Sequence, residues 1–253
     1  MPRLARTKSA TGIYHIIMRG VNRQTIFEDD EDKIRLLETL VRYKTICRYE
    51  IYGYCLMDNH IHLLIKEFEE PISNAIKRIS SSYVYWYNKK YKRCGHLFQE
   101  RFKSENVETS TYFLTVLRYI HQNPMKAGLS QHVFDCEWTS FKEYLDVPLI
   151  VKTDFALNFF SSEQKIAVDD FVKFMQLSND DQCLDITVDN RKTDQEVKEY
   201  LHSLGITSNS IKHMDKKKRD VIIIQLKEIE GVSIRQISRI TGISSSVIQR
   251  LGK

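Results

Sequence analysis

The sequence predicts an α+β sheet domain through about residue 145, followed by an acidic, partly helical stretch and a small helical module. Three observations predict it. Strand-length apolar runs and helix-period stretches succeed one another as strand, helix, strand, strand, helix, strand, helix. Beyond residue 150 only helical periodicity persists. Charge changes sign along the same boundaries: the balance of Lys and Arg over Asp and Glu is +4 for residues 1–150, −5 for 151–210 and +6 for 211–253. We therefore divide the chain into a sheet domain at 1–146, a connecting region at 147–210 and a C-terminal module at 211–253.

Each element has a local cause. Gly12 to Arg19 reads as a first strand that stops at Gly20. The acidic run Glu28 to Asp32 then opens a helix through about Tyr43, with acids at the end where the helix dipole favours them. Tyr54 to Ile65 holds two apolar runs around Asp58-Asn59, which predicts two strands joined by a tight turn. A long helix starts at Pro71, a favoured first-turn residue, shows Ile72, Ile76, Ile79, Tyr83 and Tyr87 along one stripe, and is expected to end at Gly95. Arg101 to Val107 is the fourth strand. Thr109 or Ser110 caps a last helix that Pro124 is expected to terminate. Helical patches follow at Phe155 to Phe160, Val168 to Met175 and Asp194 to Leu204. Val221 to Ile229 is a further helix, and Ser233 to Arg250 reads as helix, turn at Thr241-Gly242, and a second helix capped by Ser244. That last pattern is a helix-turn-helix, whose second helix usually enters a DNA major groove; Arg235, Arg239 and Arg250 are its expected DNA contacts.

Composition narrows the function. With 253 residues, 42% hydrophobic and 28% charged, this is an ordinary soluble chain with no spanning segment, expected in the cytoplasm and associated with the nucleoid. Five widely spaced cysteines make neither a disulfide framework nor a cysteine zinc site. Residues 71–130 hold 10 basic and 3 acidic residues, a clustered excess that suits a polyanion. Within it, Tyr83 to Arg93 interleaves aromatics with bases. Tyr83 and Tyr87 fall on the core stripe, which leaves Lys89, Lys90, Lys92 and Arg93 as expected nucleic-acid contacts.

Chemistry enters with two patterns. Because side chains alternate along a strand, His60 and His62 point to one face while Ile61, Leu63 and Ile65 point to the other, so two imidazoles converge where a divalent metal could bind. In the helix beginning near Ser110, Phe113, Val116, Leu117 and Ile120 form the buried stripe. Tyr112, Tyr119 and Asn123 line one edge of it, with Tyr119 and Asn123 neighbours at i and i+4. A phenol and an amide are thereby offered together beside the core.

Three segments, His60-Ile61-His62, Gly95 to Phe102 and Arg118 to Gly128, together with Tyr14 to Gly20, resemble the HUH single-tyrosine transposases, most of all the REP-associated tyrosine transposases. The resemblance covers roughly residues 10–145. It implies a ferredoxin-like fold, single-stranded DNA carrying hairpins as substrate, a Mg²⁺ or Mn²⁺ cofactor, and a 5′-phosphotyrosine intermediate. It makes Tyr119 the nucleophile and His60 and His62 metal ligands. The third ligand is a glutamine in many relatives; here Asn123 stands in its place, one methylene shorter, and Pro124 is expected to disfavour a helical Asn123. Arg19, Arg101, Arg118 and Lys126, in or beside the motifs, are the further expected DNA contacts. Relatives of this kind exchange active-site parts between subunits, so a homodimer is among the expected assemblies. Duplex DNA is the expected partner of the helix-turn-helix, and no membrane partner is expected. The competing reading is a DNA-binding regulator that has lost catalysis and acts through the helix-turn-helix.

Overall fold

The computed structural model describes residues 7–178, 180–184, 192, 194–206, 211, 214–229 and 231–251. The chain forms two compact units, Met1–Asp185 and Ile186–Lys253. In the first, β1 (Ile13–Arg19), α1 (Asp30–Cys47), β2 (Glu50–Met57), β3 (His60–Lys66), α2 (Ile72–Lys90), β4 (Lys103–Asn106) and α3 (Ser110–Lys126) follow in order. The four strands form one antiparallel sheet in the order β2-β3-β1-β4. β2 and β3 are a hairpin closed by Asp58 and Asn59, whose carbonyls accept from Ile26 N at 2.8 Å and Gly20 N at 2.9 Å. The N-cap of α1 is Asp29, in a reciprocal capping box with Asp32 that satisfies two otherwise orphaned backbone donors.

Register assigns the two faces of the sheet. His15, Ile17, His62, Leu64, Gly53 and Cys55 share one face, because paired residues in adjacent strands point the same way. α3 lies on this face. Its approach depends on Gly53: a Cβ there would stand 2.7 Å from Leu117 Cδ1. Just before it the strand bulges, with the register slipping between Ile51 and Gly53. The other face, with Ile16, Ile61, Leu63 and Ile65, is buried beneath α1 and α2, which pack against each other. α4 (Asp154–Leu157) and α5 (Gln164–Gln176) finish the first unit, and α5 packs on α3. Ile150, Phe171 and Met175 join the same hydrophobic core as the sheet.

Three helix ends differ from expectation. α1 runs past Tyr43 to Cys47, where Arg48 turns left-handed (φ 50°). α2 stops at Lys90, before Gly95, because Lys92 turns left-handed (φ 50°) and Arg93 N bonds Asn88 O at 2.8 Å. α3 runs through Pro124 to Lys126, so Asn123 is helical. Proline inside a helix costs about 3 kcal/mol through a lost N–H and a clash. Here it falls in the last turn, and the segment from Tyr119 to Pro124 is buried throughout, so tertiary packing outweighs the penalty. Thr109 is the N-cap, its side chain accepting from Tyr112 N at 3.1 Å.

The second unit contains α6 (Asp194–Ser203), α7 (Lys216–Glu228), α8 (Ile234–Thr241) and α9 (Ser245–Arg250). They enclose their own core of Val197, Leu201, Ile223, Leu226, Ile237 and Ile248. Ser233 caps α8, and Gly242 (φ 67°) ends it, donating its N–H to Ser238 O. Positive φ at that position is the reason a glycine stands there. Among the described residues no helix is long and apolar enough to cross a membrane.

Candidate active site on the sheet

β3 and α3 bring His60, His62, Tyr119 and Asn123 together. The ring centroids of His60 and His62 are 5.0 Å apart, and His62 and Tyr119 meet edge to face at 5.8 Å. Asn123 Nδ2 stands 3.2 Å from His62 Nε2. His60 Nδ1 is 2.6 Å from Asn59 Oδ1, an acceptor that puts the ring proton on Nδ1 and directs Nε2 as a lone pair. One imidazole takes a carboxamide partner from the hairpin turn, the other takes one from the helix.

A third histidine completes the cluster. His15 Nε2 is 3.0 Å from His62 Nδ1, and its ring stands 6.0 Å from that of Tyr119. With Asn123 donating to His62 Nε2, the His62 proton sits on Nδ1 and is donated to His15 Nε2, so the His15 proton is on Nδ1. That atom is buried and has no hydrogen-bond partner. Leaving such a donor unsatisfied costs about 1–3 kcal/mol. Burial holds the His15 pKa down to about 3; burial, followed by the neighbouring His15 and His60, lowers that of His62 well below the usual histidine range. Both rings are neutral at pH 7 and remain available as ligands.

The donor set suits a divalent cation. His60 and His62 would hold it through ring nitrogens, and Asn123 through its amide oxygen once the carboxamide turns over, a rotation that exchanges nitrogen for oxygen at nearly the same point. Among the described residues no three His, Cys, Asp or Glu side chains form a metal-binding group, so a third protein donor at this site would have to be of another kind, such as the Asn123 amide. Two neutral imidazoles and an amide leave the charge of a cation uncancelled for a phosphate.

Other expected residues fall in different places. Lys126 Nζ lies 4.9 Å from the centre of the Tyr119 ring, a cation beside the phenol. Arg19 lies opposite His60 in the β1–β3 ladder. Arg118 is held by Asp181 through two hydrogen bonds, 2.8 and 3.0 Å. Lys90 is bound by Asp29, Glu31 and Asp32, each at 2.8 Å. Lys89 is exposed on α2, Lys92 and Arg93 follow the end of that helix, with Arg93 bonded to Gln24 at 3.0 Å, and Arg101 is exposed before β4. Arg235, Arg239 and Arg250 are exposed in the second unit. Tyr112, the other tyrosine on the same helix edge, donates to Glu105 at 2.6 Å. Burial and that carboxylate push its pKa up.

The role of His15 escapes a reading by periodicity. It is one residue in an apolar strand, and only the antiparallel register of β1 against β3 brings it beside His62. The position of Lys126, seven residues and two turns after Tyr119, was present in the helical spacing.

Residues 8–123 match the family described as "Transposase IS200 like". The first unit carries a domain of this IS200-like, single-tyrosine transposase family. Among solved structures, the chain resembles a REP-associated tyrosine transposase bound to a REP hairpin. The identity is 17%, the match covers 57% of this chain and 86% of that one, and the TM-score is 0.50, a likeness of fold. A transposase structure from Deinococcus radiodurans R1 matches at 17% identity over 48% of this chain and 97% of that one; its TM-score of 0.35 is too low to bear on the fold. No curated protein matches.

Proposed function

We propose that the first unit is a ferredoxin-like HUH enzyme that cleaves and rejoins single-stranded DNA beside hairpins, with Tyr119 as nucleophile and Mg²⁺ or Mn²⁺ as cofactor. The observation that carries this reading is the convergence of Tyr119 and Asn123, one helical turn apart, on the paired histidines of β3. The REP hairpin in the related structure supports the choice of substrate.

In this reading Tyr119 Oη attacks the scissile phosphorus, a P–Oη bond forms, and the bond to the 3′-oxygen breaks. The phenolic proton is lost to solvent, and the departing oxygen takes one up as the free 3′-hydroxyl. A phosphodiester is exchanged for a phosphotyrosine ester, so a 3′-hydroxyl can reverse the step without ATP. A bound cation supplies polarisation of the phosphate and charge for the leaving oxygen. Lys126 lowers the cost of negative charge on the phenol, and Arg19, Arg101 and Lys92 draw the backbone in, whereas Lys90 is taken up by Asp29, Glu31 and Asp32. We read α8, Gly242 and α9 as a helix-turn-helix that adds duplex contacts through Arg235, Arg239 and Arg250.

The test incubates full-length protein with Mg²⁺ or Mn²⁺ and labelled hairpin-bearing single strands, and looks for a denaturant-resistant protein–DNA adduct. An adduct that depends on the metal and on Tyr119 is expected. Metal-independent binding with no adduct on any hairpin, together with duplex binding by the second unit, would instead leave a DNA-binding regulator.

A further inference from the structure

We propose that the groove between α1 and α2 is a second track for single-stranded DNA, on the side of the sheet away from Tyr119, gripping the strand that flanks the reactive phosphate. The choice of DNA as the polyanion rests on the function proposed above; the groove itself rests on its own residues.

The groove encloses about 930 Å³ and is lined by five cations and no carboxylate. Arg35 and Arg42 come from α1; Lys77, Arg78 and Lys89 come from α2. On α2 they recur at helical spacing with the groove-lining serines, so the cations run along one face for about 18 Å from Lys77 to Lys89. A row of positive charge on that scale matches a chain of phosphates better than a single small anion.

These cations are poorly neutralised from within. Among the described residues Arg42, Lys77 and Lys89 make no ion pair. Arg78 meets Glu70 at 3.1 Å and Arg35 meets Glu38 at 3.2 Å, exposed or half-exposed pairs of the kind that a phosphate can displace at little cost. Arg35 also keeps a buried Nε–H with no acceptor. A ligand oxygen in the groove would satisfy it.

Aromatic faces stand among the charges. Tyr85 is 75% exposed, an unusual amount of ring to leave in water. Trp86 beside it is flanked by Arg35 at 5.8 Å and Lys90 at 5.0 Å from its ring. Unpaired bases offer free faces to stack on such rings, whereas a duplex keeps its bases stacked on one another. An acidic peptide would use the cations but has no use for the rings. The combination therefore favours a single strand.

The test uses full-length protein in EDTA, so that cleavage does not intervene, and a fluorescent oligothymidine with no hairpin. Affinity is followed by anisotropy across a salt series. Arg42→Ala with Lys77→Ala should flatten the slope of log K against log salt by about 1.4, from about 0.7 per lost contact on a single strand. Tyr85→Ala should weaken binding about tenfold. The protein has two tryptophans, so quenching that disappears in Trp86→Phe reports the groove directly. Folded variants that keep the wild-type slope and affinity, with quenching unaffected by Trp86→Phe, overturn the proposal. The adduct assay separates the two readings: adduct formation with a silent groove sinks the groove alone, and groove binding without any adduct sinks the proposed chemistry alone.

Discussion

His15 Nε2 accepts the Nδ1 proton of His62 across 3.0 Å, which leaves His62 Nε2 as the lone pair facing Asn123. The arrangement fixes both the tautomer and the tilt of a ring that would bind metal, and it leaves His15 Nδ1 without a partner. His15→Leu removes one orphaned donor, His15 Nδ1, but creates another, His62 Nδ1, so stability should change little or fall while Mn²⁺ binding weakens about 10- to 100-fold. Titration calorimetry gives the affinity, and ¹⁵N shifts of the His62 ring in metal-free protein report the tautomer. Unchanged affinity and an unchanged tautomer would show that His15 is a packing residue only.

Tyr119→Phe should abolish the covalent adduct and leave DNA affinity nearly unaltered, since only the attacking oxygen is removed. Tyr112→Phe should keep the adduct, because the Tyr112 hydroxyl is already committed to Glu105 and its pKa is pushed up by burial. Mass spectrometry of the cross-linked peptide distinguishes the two. An adduct on Tyr112 would reverse the assignment.

Gly53→Ala tests how α3 is seated. The added methyl would meet Leu117 at 2.7 Å, so either α3 lifts from the sheet or Leu117 leaves its rotamer. Overpacking of this sort costs about 1–3 kcal/mol. Because α3 carries Tyr119 and Asn123, adduct formation should fall further than stability alone explains. A variant with wild-type melting and wild-type adduct yield would mean that the close approach does not position the site.

Acid should destabilise the first unit from an unusually mild pH. His15 and His121 are held down to about 3 by burial, and His62 well below its ordinary range, so the native state stays neutral where the unfolded chain takes up protons. Their stability contribution is full above about 6.5 and is lost as pH falls from there toward 3, by up to about 1.4 kcal/mol per pH unit for each ring. Urea midpoints at pH 7.5 and 5.5 measure it. Equal midpoints would contradict a core of neutral histidines.

Truncation separates the units. A chain ending at Asp146 loses Ile150, Phe171 and Met175 from the sheet domain's own core, and deleting large buried side chains costs about 2–5 kcal/mol each. It should fail to melt cooperatively. A chain ending at Asp185 should melt as one domain and retain any metal-dependent adduct. A stable fragment ending at Asp146 would show that α4 and α5 are accessory.

Local pattern was enough to determine several features. Period-two alternation put His60 and His62 on one face, helical spacing joined Tyr119 to Asn123, and acids at Asp29 to Asp32 marked the start of α1. These depend only on backbone geometry within one element. What the tertiary structure decided depends on partners distant in the chain. Pro124 marks a helix end by local rule, yet α3 continues through it because its last turns are buried from both sides. Lys90 is exposed by pattern but is held by carboxylates about sixty residues earlier. Residues 150–176 carry no chemical motif, and their membership of the sheet's core follows from Phe171 and Met175 packing behind α3. His15 meets His62 only through the register of β1 on β3, which pairs Ile17 with His62. Register is a property of two strands at once, and neither strand's sequence specifies it alone.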